Sequence, residues 1–469
     1  MAPGVALKRQ DVQQFASRLR GQLLQPGDRE YEDARKVWNG MIDRRPALIA
    51  RCAAVADVVE AVNFARVHRL PLAVRGGGHN VAGLATCDGG LLIDLGPMKG
   101  IRVDPAARTA RAEGGVRWGD LDRATQAHGL ATPGGAISDT GIAGLTLGGG
   151  YGHLRNKYGL SCDNLVAAEV VTADGRVLRA SESENSDLFW GLRGGGGNFG
   201  VVTAFEYRLH PVGPEIASCF VFYHGDRMAD GLRLFRDYTA SAPDEVSILA
   251  VLGVVPPGAA AYPAEIHGLP FVAFLGSYAG PADEGERALQ PLRTWDKPLV
   301  DFSGRRPYVE LQQILDEDYP AGKLRYYWKS LNLTSLADDV IAGIVAHARR
   351  QPSPLNTTDV WHIGGAVRRV DPDATAFRGR HVSYLLNPEA NWEDPRDDAA
   401  NLAWVRQFIA DMEPFSDGGR YLNFAGFLEE GDKMMRAALG QNYGRLVDVK
   451  NKYDPTNLFR LNQNIKPTV

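Results

Sequence analysis

Cysteine is scarce and scattered. The chain has 4 in 469 residues, at Cys52, Cys87, Cys162 and Cys219, with no CxxC pair and no metal-ligand spacing. That excludes a disulfide framework and argues against a metal site. Long apolar runs are missing as well. No stretch approaches the roughly 18 apolar residues of a membrane span. The start, MAPGVALKRQDVQQFASRLRG, lacks the apolar core of a secretory signal. Neither charge sign dominates, since the formal net charge is −4, so there is no electrostatic reason to expect nucleic acid. A cytoplasmic protein in a reducing setting is expected, without nucleic-acid, membrane or metal partners.

Glycine is what the chain has in abundance. Of its 53 glycines, many cluster between positions 74 and 200, which points to loops that hold a ligand. A chain of 469 residues is too long for one simple core, so two domains are expected. From about 50 to 210, short apolar runs alternate with glycine turns: LPLAVRGGGHN and GLLIDL read as strands. IRVDPAARTARAEGG reads as a hairpin, RWGDLDRATQAHG as a helix, and LVAAEVVTADGRVLRAS as a hairpin about Asp174-Gly175. NSDLFWGLRG reads as a short helix capped by Asn185 or Ser186, and FGVVTAFEYRLHP as a strand ending at Pro211.

Residues 215 to about 415 differ. Longer helices (DRMADGLRLFRDYTASA, LADDVIAGIVAHARRQ, DDAANLAWVRQFIADM) mix with strands (SCFVFYH, PFVAFLGSY, DVWHIGGAVRRV), as in a second sheet covered by helices. The last fifty residues change again: RYLNFAGFLEE, then a helix that Asp454-Pro455 ends, then an amide-rich tail. The fold class is α+β.

Three glycine clusters need a reason: RGGGHN (75–80), TGIAGLTLGGGYG (140–152) and RGGGGNFG (193–200). The third contains G-x-G-x-x-G, but a helix precedes it and a strand follows, the reverse of the Rossmann order. No cluster has the P-loop pattern. Loops of this kind can present successive backbone N–H groups to an anion with no Cβ in the way, and three of them suggest a large ligand carrying a pyrophosphate.

The stretches VRGGGHN, GGVRWGDL, GLTLGGGYGHLRNKYGLSCDNL, SDLFWGLRGGGGNFGVVT and YDPTNLFRLNQNI occur in this order. Together they resemble the berberine-bridge-enzyme-type FAD-linked oxidases of the vanillyl-alcohol-oxidase, or PCMH-type, flavoprotein group. The likeness covers about residues 40–212 and 420–467. It implies a two-domain PCMH-type fold, with residues 1–212 binding FAD, residues 213–416 forming a mixed-sheet and helix substrate domain, and residues 417–469 returning to the FAD domain. It implies FAD bonded through its 8α-methyl to His79, with Gly76, Gly77 and Gly78 wrapping the pyrophosphate and with cofactor contacts at Arg75 and Asn80. From the second cluster it implies cofactor contacts at Thr140, Gly141, Gly144, Leu145, Gly148, Gly149, Gly150 and Gly152. The third cluster and the tail add Gly197, Asn198, Gly200, Val201, Val202, Tyr421 and Asn423. A covalent bond of this type raises the flavin's reduction potential and prevents its loss.

Doubly linked members carry a cysteine to flavin C6 where this chain has Ile137, so a single link is expected, as in bacterial singly linked members. Cys162 reads as a small buried hydrophobe. Thr140 falls at the family's oxygen gatekeeper. Tyr421 in YLNF matches the family's Tyr-x-Asn motif and is the expected proton acceptor, given a neighbouring charge or a network that lowers its pKa. Asp139 is a second candidate base or amine anchor, or else a turn cap. Tyr151, Tyr327, Trp361 and His362 are the candidate substrate contacts. The activity implied is hydride transfer from a small alcohol, amine or secondary-metabolite intermediate to FAD, with O2 reduced to H2O2. An oxygenase, or a dehydrogenase with another acceptor, stays open, and a homodimer is compatible with the sequence.

Overall fold

The computed structural model describes residues 7–427 and 431–469. The strands expected in LPLAVR and GLLIDL form as Leu72–Arg75 and Leu91–Asp94. They lie parallel with Leu48–Arg51, and Gln22–Leu24 adds an antiparallel edge. Their short apolar runs are buried, as parallel strands require, and the crossover helix Val55–His68 covers them with Val58, Ala61, Val62 and Ala65. Both expected hairpins form. Ile101–Asp104 with Thr109–Glu113, and Leu165–Val171 with Val177–Ser181, join Val201–Arg208 in a five-stranded antiparallel sheet.

Two local expectations need correction. The strand before Pro211 ends at Arg208, and His210–Pro211 pairs instead with Leu130–Ala131. The helix Ser186–Leu192 forms without a side-chain cap. Asn185 takes a left-handed conformation (φ 48°) and its amide donates to the Arg179 carbonyl at 2.7 Å.

Residues 215–392 build a nine-stranded antiparallel sheet. Its main path runs Val300–Asp301, Glu215–His224, Pro270–Tyr278, Val246–Val254, Thr357–His362, Tyr384–Trp392, Arg325–Trp328. The helices Met228–Thr239, Ala282–Arg293, Asp338–Ala348 and Asp398–Met412 cover one face through Leu232, Phe235, Leu289, Ile341, Ile344 and Phe408. The opposite face carries Leu249, Leu275, Trp361 and Leu385 against Tyr151 and Tyr421. The stretch GAVRRV is not strand: it turns into the helix Gly365–Arg369.

The chain then returns to its beginning. Leu422, Met435, Leu439, Leu446, Val449 and Ile465 pack with Trp118, Phe189, Phe205 and Tyr207. Helix Asn442–Tyr453 stops at Asp454, as Asp454-Pro455 predicts. Asp454 and Lys450 are both fully buried and 2.7 Å apart. Lys450 also donates to the carbonyls of Asn198 (2.8 Å) and Phe459 (3.0 Å), and the N–H groups of Leu458 and Phe459 donate to the Asp454 carboxylate. This clasp fixes the tail against the third glycine cluster. Among the described residues no helix is long and apolar enough to cross a membrane, and no His, Cys, Asp and Glu cluster could hold a metal. All four cysteines are buried and free.

Candidate flavin and substrate site

A cavity of about 1580 Å³, its open mouth included, lies where the glycine loops, the nine-stranded sheet and the tail meet. The first glycine cluster leaves the strand Leu72–Arg75 and turns at Gly78, whose φ of +73° suits glycine. Within the described residues, the N–H groups of Gly76, Gly77, Gly78, His79 and Asn80 donate to no protein acceptor. Among the described residues no lysine or arginine lines the cavity, so an anion here meets backbone dipoles rather than side-chain cations.

Close packing explains part of the glycine content. A Cβ on Gly77 would lie 2.4 Å from the Gly141 nitrogen, and one on Gly141 the same distance from the Gly77 nitrogen. The two loops therefore cross backbone on backbone. Gly144 and Gly197 are different: both line the cavity, and a Cβ on either meets nothing within 4 Å. A nest of free N–H groups, cavity-facing glycines and an imidazole fit a flavin dinucleotide with its diphosphate against the loops.

Most of the residues expected around the cofactor line this one cavity: Gly76, Gly77, Gly78, His79, Asn80, Thr140, Gly141, Gly144, Leu145, Gly197, Gly200, Val201, Val202, Tyr421 and Asn423. Ile137 lines it too. Six expected contacts lie behind the wall. Arg75 pairs with Asp94 at 2.9 Å and donates to the Lys36 carbonyl. A Cβ on Gly148 would strike the Asn423 amide, and on Gly149 the Phe377 ring. One on Gly150 would strike Ser161, and on Gly152 the Gly134 carbonyl. Asn198 staples the tail, donating to the Gly195 and Gln463 carbonyls and accepting from the Ile465 N–H.

His79 stacks on Trp38 with ring centroids 4.1 Å apart, and Trp38 stacks on Tyr326 at 3.7 Å. Its Nε2 lies 3.1 Å from Asp139 Oδ1. The two atoms are not aligned for a hydrogen bond, so the contact is electrostatic. Asp139 Oδ2 is 3.8 Å from Arg117. Burial raises the Asp139 pKa, but His79 and Arg117 outweigh it and hold the carboxyl below its usual range. Asp139 is absent from the cavity lining; it faces His79 and Arg117.

Tyr421 is 3 % exposed, and its hydroxyl accepts from the N–H groups of Gly150 (3.1 Å) and Tyr151 (3.3 Å) and from Asn423 Nδ2 (2.8 Å). The lowered pKa expected for it is not found. Burial pushes the phenol up to about 12 against those three donors, and no cation stands among its influences. With its lone pairs occupied, the Tyr421 O–H proton is free to point into the cavity. Asn423 also donates to the Leu145 carbonyl at 3.1 Å.

Tyr151 and Trp361 line the cavity, but Tyr327 and His362 do not. Tyr327 lies in the core under the helices, and Arg406 donates to its hydroxyl at 3.2 Å. The His362 ring nitrogen Nδ1 meets Asn156 Nδ2 at 3.0 Å. Successive strand residues face opposite sides, so Trp328 lines the cavity in place of Tyr327, and Tyr326, on the same face, stacks on Trp38. Sequence reasoning also missed Asp359, Glu389 and Tyr319, all in the cavity wall. Asp359 and Glu389 occupy adjacent strands two residues out of register on one face, since Thr357 pairs with Glu389. The signal available was parity with Trp361, two residues after Asp359.

Residues 46–181 match the FAD binding domain family, and residues 420–466 the berberine and berberine-like family. An FAD-linked oxidoreductase of Dictyostelium discoideum is 32% identical over 463 residues, covering 98% of this chain and 97% of that protein. The (R)-6-hydroxynicotine oxidase of Paenarthrobacter nicotinovorans is 30% identical over 461 residues, covering 96% and 97%. Among solved structures, 6-hydroxy-D-nicotine oxidase from Arthrobacter nicotinovorans superposes with a TM-score of 0.85 at 29% identity, covering 96% and 98%. A chitooligosaccharide oxidase superposes with 0.85 at 25%, covering 98% and 100%. With a cavity lined by the glycine loops, a berberine-like tail closing it and likeness along the whole length, the chain belongs to the berberine-bridge-like family of FAD-linked oxidoreductases.

Proposed function

We propose that the chain is an FAD-dependent oxidase whose flavin is bonded to His79, and which oxidises a small amine or alcohol at the cost of O2, releasing H2O2. When bound, FAD accepts the substrate's hydride and passes the electrons to oxygen. The observation that carries the reading is the placement of His79 and Tyr421 in one cavity with the unpaired N–H groups of Gly76–Asn80.

The residues divide the work. Gly76, Gly77, Gly78 and Asn80 receive the diphosphate through backbone N–H groups. Asp139 acts as a positioning residue for His79, its carboxylate 3.1 Å from the ring nitrogen Nε2. Tyr421, ordinarily a poor base, moves the substrate proton while three N–H donors stabilise any negative charge on its oxygen. Thr140 borders the space through which oxygen enters, and Trp361 and Tyr151 wall the substrate.

Acid precipitation of the holoenzyme followed by peptide mass mapping tests this. FAD should stay with the pellet, on the peptide carrying His79. The His79→Ala protein, shown to be folded beforehand by circular dichroism, should release all its flavin on acid precipitation. Colour that washes out of the wild-type pellet, or flavin on a cysteine peptide, sinks the single-link assignment. Label from oxygen gas appearing in the organic product makes the protein an oxygenase.

A further inference from the structure

Asp359 and Glu389 are 5 % and 3 % exposed, and among the described residues neither makes an ion pair. Glu389 is held in place: Tyr319 donates to its Oε2 at 2.7 Å and Asn387 to its Oε1 at 3.1 Å. Asp359 Oδ1 is buried with no hydrogen-bond partner, and so is the indole Nε1 of Trp361. Arg155 does not neutralise the pair. Its guanidinium sits 5.0 Å from the Trp361 ring centroid and is committed to the carbonyls of Gly152, Ile248 and His362. Around the carboxyls, the wall is aromatic: Tyr319, Trp328, Trp361 and Phe424.

A buried carboxylate costs several kcal/mol unless a counter-charge meets it. Burial raises the pKa of both groups, and the charge on Asp359 raises that of Glu389 further. Both shifts favour protonation of the pair, and Tyr319, whose own pKa burial and these carboxyls raise, stays a donor. The missing component is a cation. A neutral polyol would bring many hydroxyls to a wall with few free polar atoms, leaving most of them unpaired. An ammonium or amidinium brings the charge, the N–H donors and a surface that aromatic faces attract.

We propose that Asp359 and Glu389 form the recognition site for the cationic nitrogen of an amine substrate, with one proton leaving to solvent as the cation binds. This rests on the oxidase reading above and narrows its substrate class from alcohol or amine to amine.

The test is isothermal calorimetry on the holoenzyme with benzamidine and with benzamide, which share a shape and differ in charge. Neither has a hydrogen on the carbon bearing nitrogen, so neither can be oxidised by hydride loss. Bound FAD is measured separately by absorbance, so loss of the flavin reading and loss of this one are told apart. Benzamidine should bind at least roughly tenfold tighter than benzamide. Titration in two buffers of different ionisation enthalpy should show close to one proton released per site. Glu389→Gln and Asp359→Asn should each remove that preference and the proton release. Equal or tighter binding of benzamide, benzamidine binding without proton release, or no benzamidine binding at millimolar concentration overturns the proposal. The wild-type comparison stands even where a variant fails to fold.

Discussion

The two walls of the cavity are made of different material. The wall from the N-terminal region is backbone, with Gly76–Gly78, Gly141, Gly144 and Gly197 stripped of side chains. The wall from the nine-stranded sheet is side chain, with Trp328, Asp359, Trp361 and Glu389 projecting from rigid strands. A cofactor of fixed shape is met by peptide groups, which only glycine exposes fully. A substrate is met by side chains that strand parity selects, so the same fold can change its substrate by exchanging alternate residues without disturbing the flavin.

The sharpest way to break this contrast is inside the glycine wall. Gly141→Val places atoms where the Gly77 backbone lies, and overpacking of this kind costs about 3 kcal/mol or more, so a large fall in Tm and no flavin absorbance are expected. Gly144→Ala, in the same segment, points its methyl into open cavity. It should keep or slightly raise the Tm yet lower flavin occupancy, because alanine suits a helix better than glycine. If both variants lose stability alike, the glycines serve packing alone.

Next in size is the hydroxyl over the cavity. Tyr421→Phe should keep its flavin but lower kcat by about 100-fold or more, with KM nearly unchanged, in steady-state peroxide assays. Unaltered kcat would remove Tyr421 from proton transfer. Parity on the sheet wall is tested by a pair of variants. Trp361→Ala should raise KM about tenfold through lost burial, while Tyr327→Phe should leave KM alone and cost about 1 kcal/mol of stability. A KM change at Tyr327 would contradict the sheet's orientation.

A separate axis is stability against acid, which depends on pH rather than on a substitution. Burial lowers the pKa of His153 and His210 to about 4 and of His362 to about 3, against 6.5 when unfolded. Below pH 6.5 the unfolded chain takes up protons that the folded one refuses. Stability should therefore fall as pH drops from 6.5 towards 3 and flatten below. Scanning calorimetry across that range checks it, and His362→Gln should reduce the slope.

Glycine wall and tail were legible in the sequence because their signals are local. Runs such as GGGH and YDPTNLF are contiguous in the chain, so their resemblance to the family can be read without knowing any long-range pairing. The sheet wall was legible only as composition. KLRYYWKS declares an aromatic strand, but which of Tyr326, Tyr327 and Trp328 faces the cavity depends on the register with Tyr384–Trp392, a long-range pairing. Glu389 was hidden for a further reason. Pro388 argues against a central strand, yet it sits where the neighbouring strand is broken between Trp328 and Leu331, so no ladder partner there needs its missing N–H. A carboxylate in a strand also reads as solvent-facing until its neighbours are known. Asp139 was legible as a residue near the cofactor, but the side it faces followed from Arg117, which pairs across a bridge to Gly141.

The clasp between Lys450 and Asp454 carries a consequence for timing. Leu461, Asn462 and Gln463 complete a cavity whose first residue is Val74, so the site closes only after residues that follow the whole nine-stranded sheet in the sequence have been made. During synthesis the glycine loops emerge early and wait, with nothing across from them, while the whole sheet is made. Closure of the cavity therefore follows synthesis of this segment, and a polypeptide stopped at Arg460 would carry the glycine loops and still lack the strap of Leu461, Asn462 and Gln463.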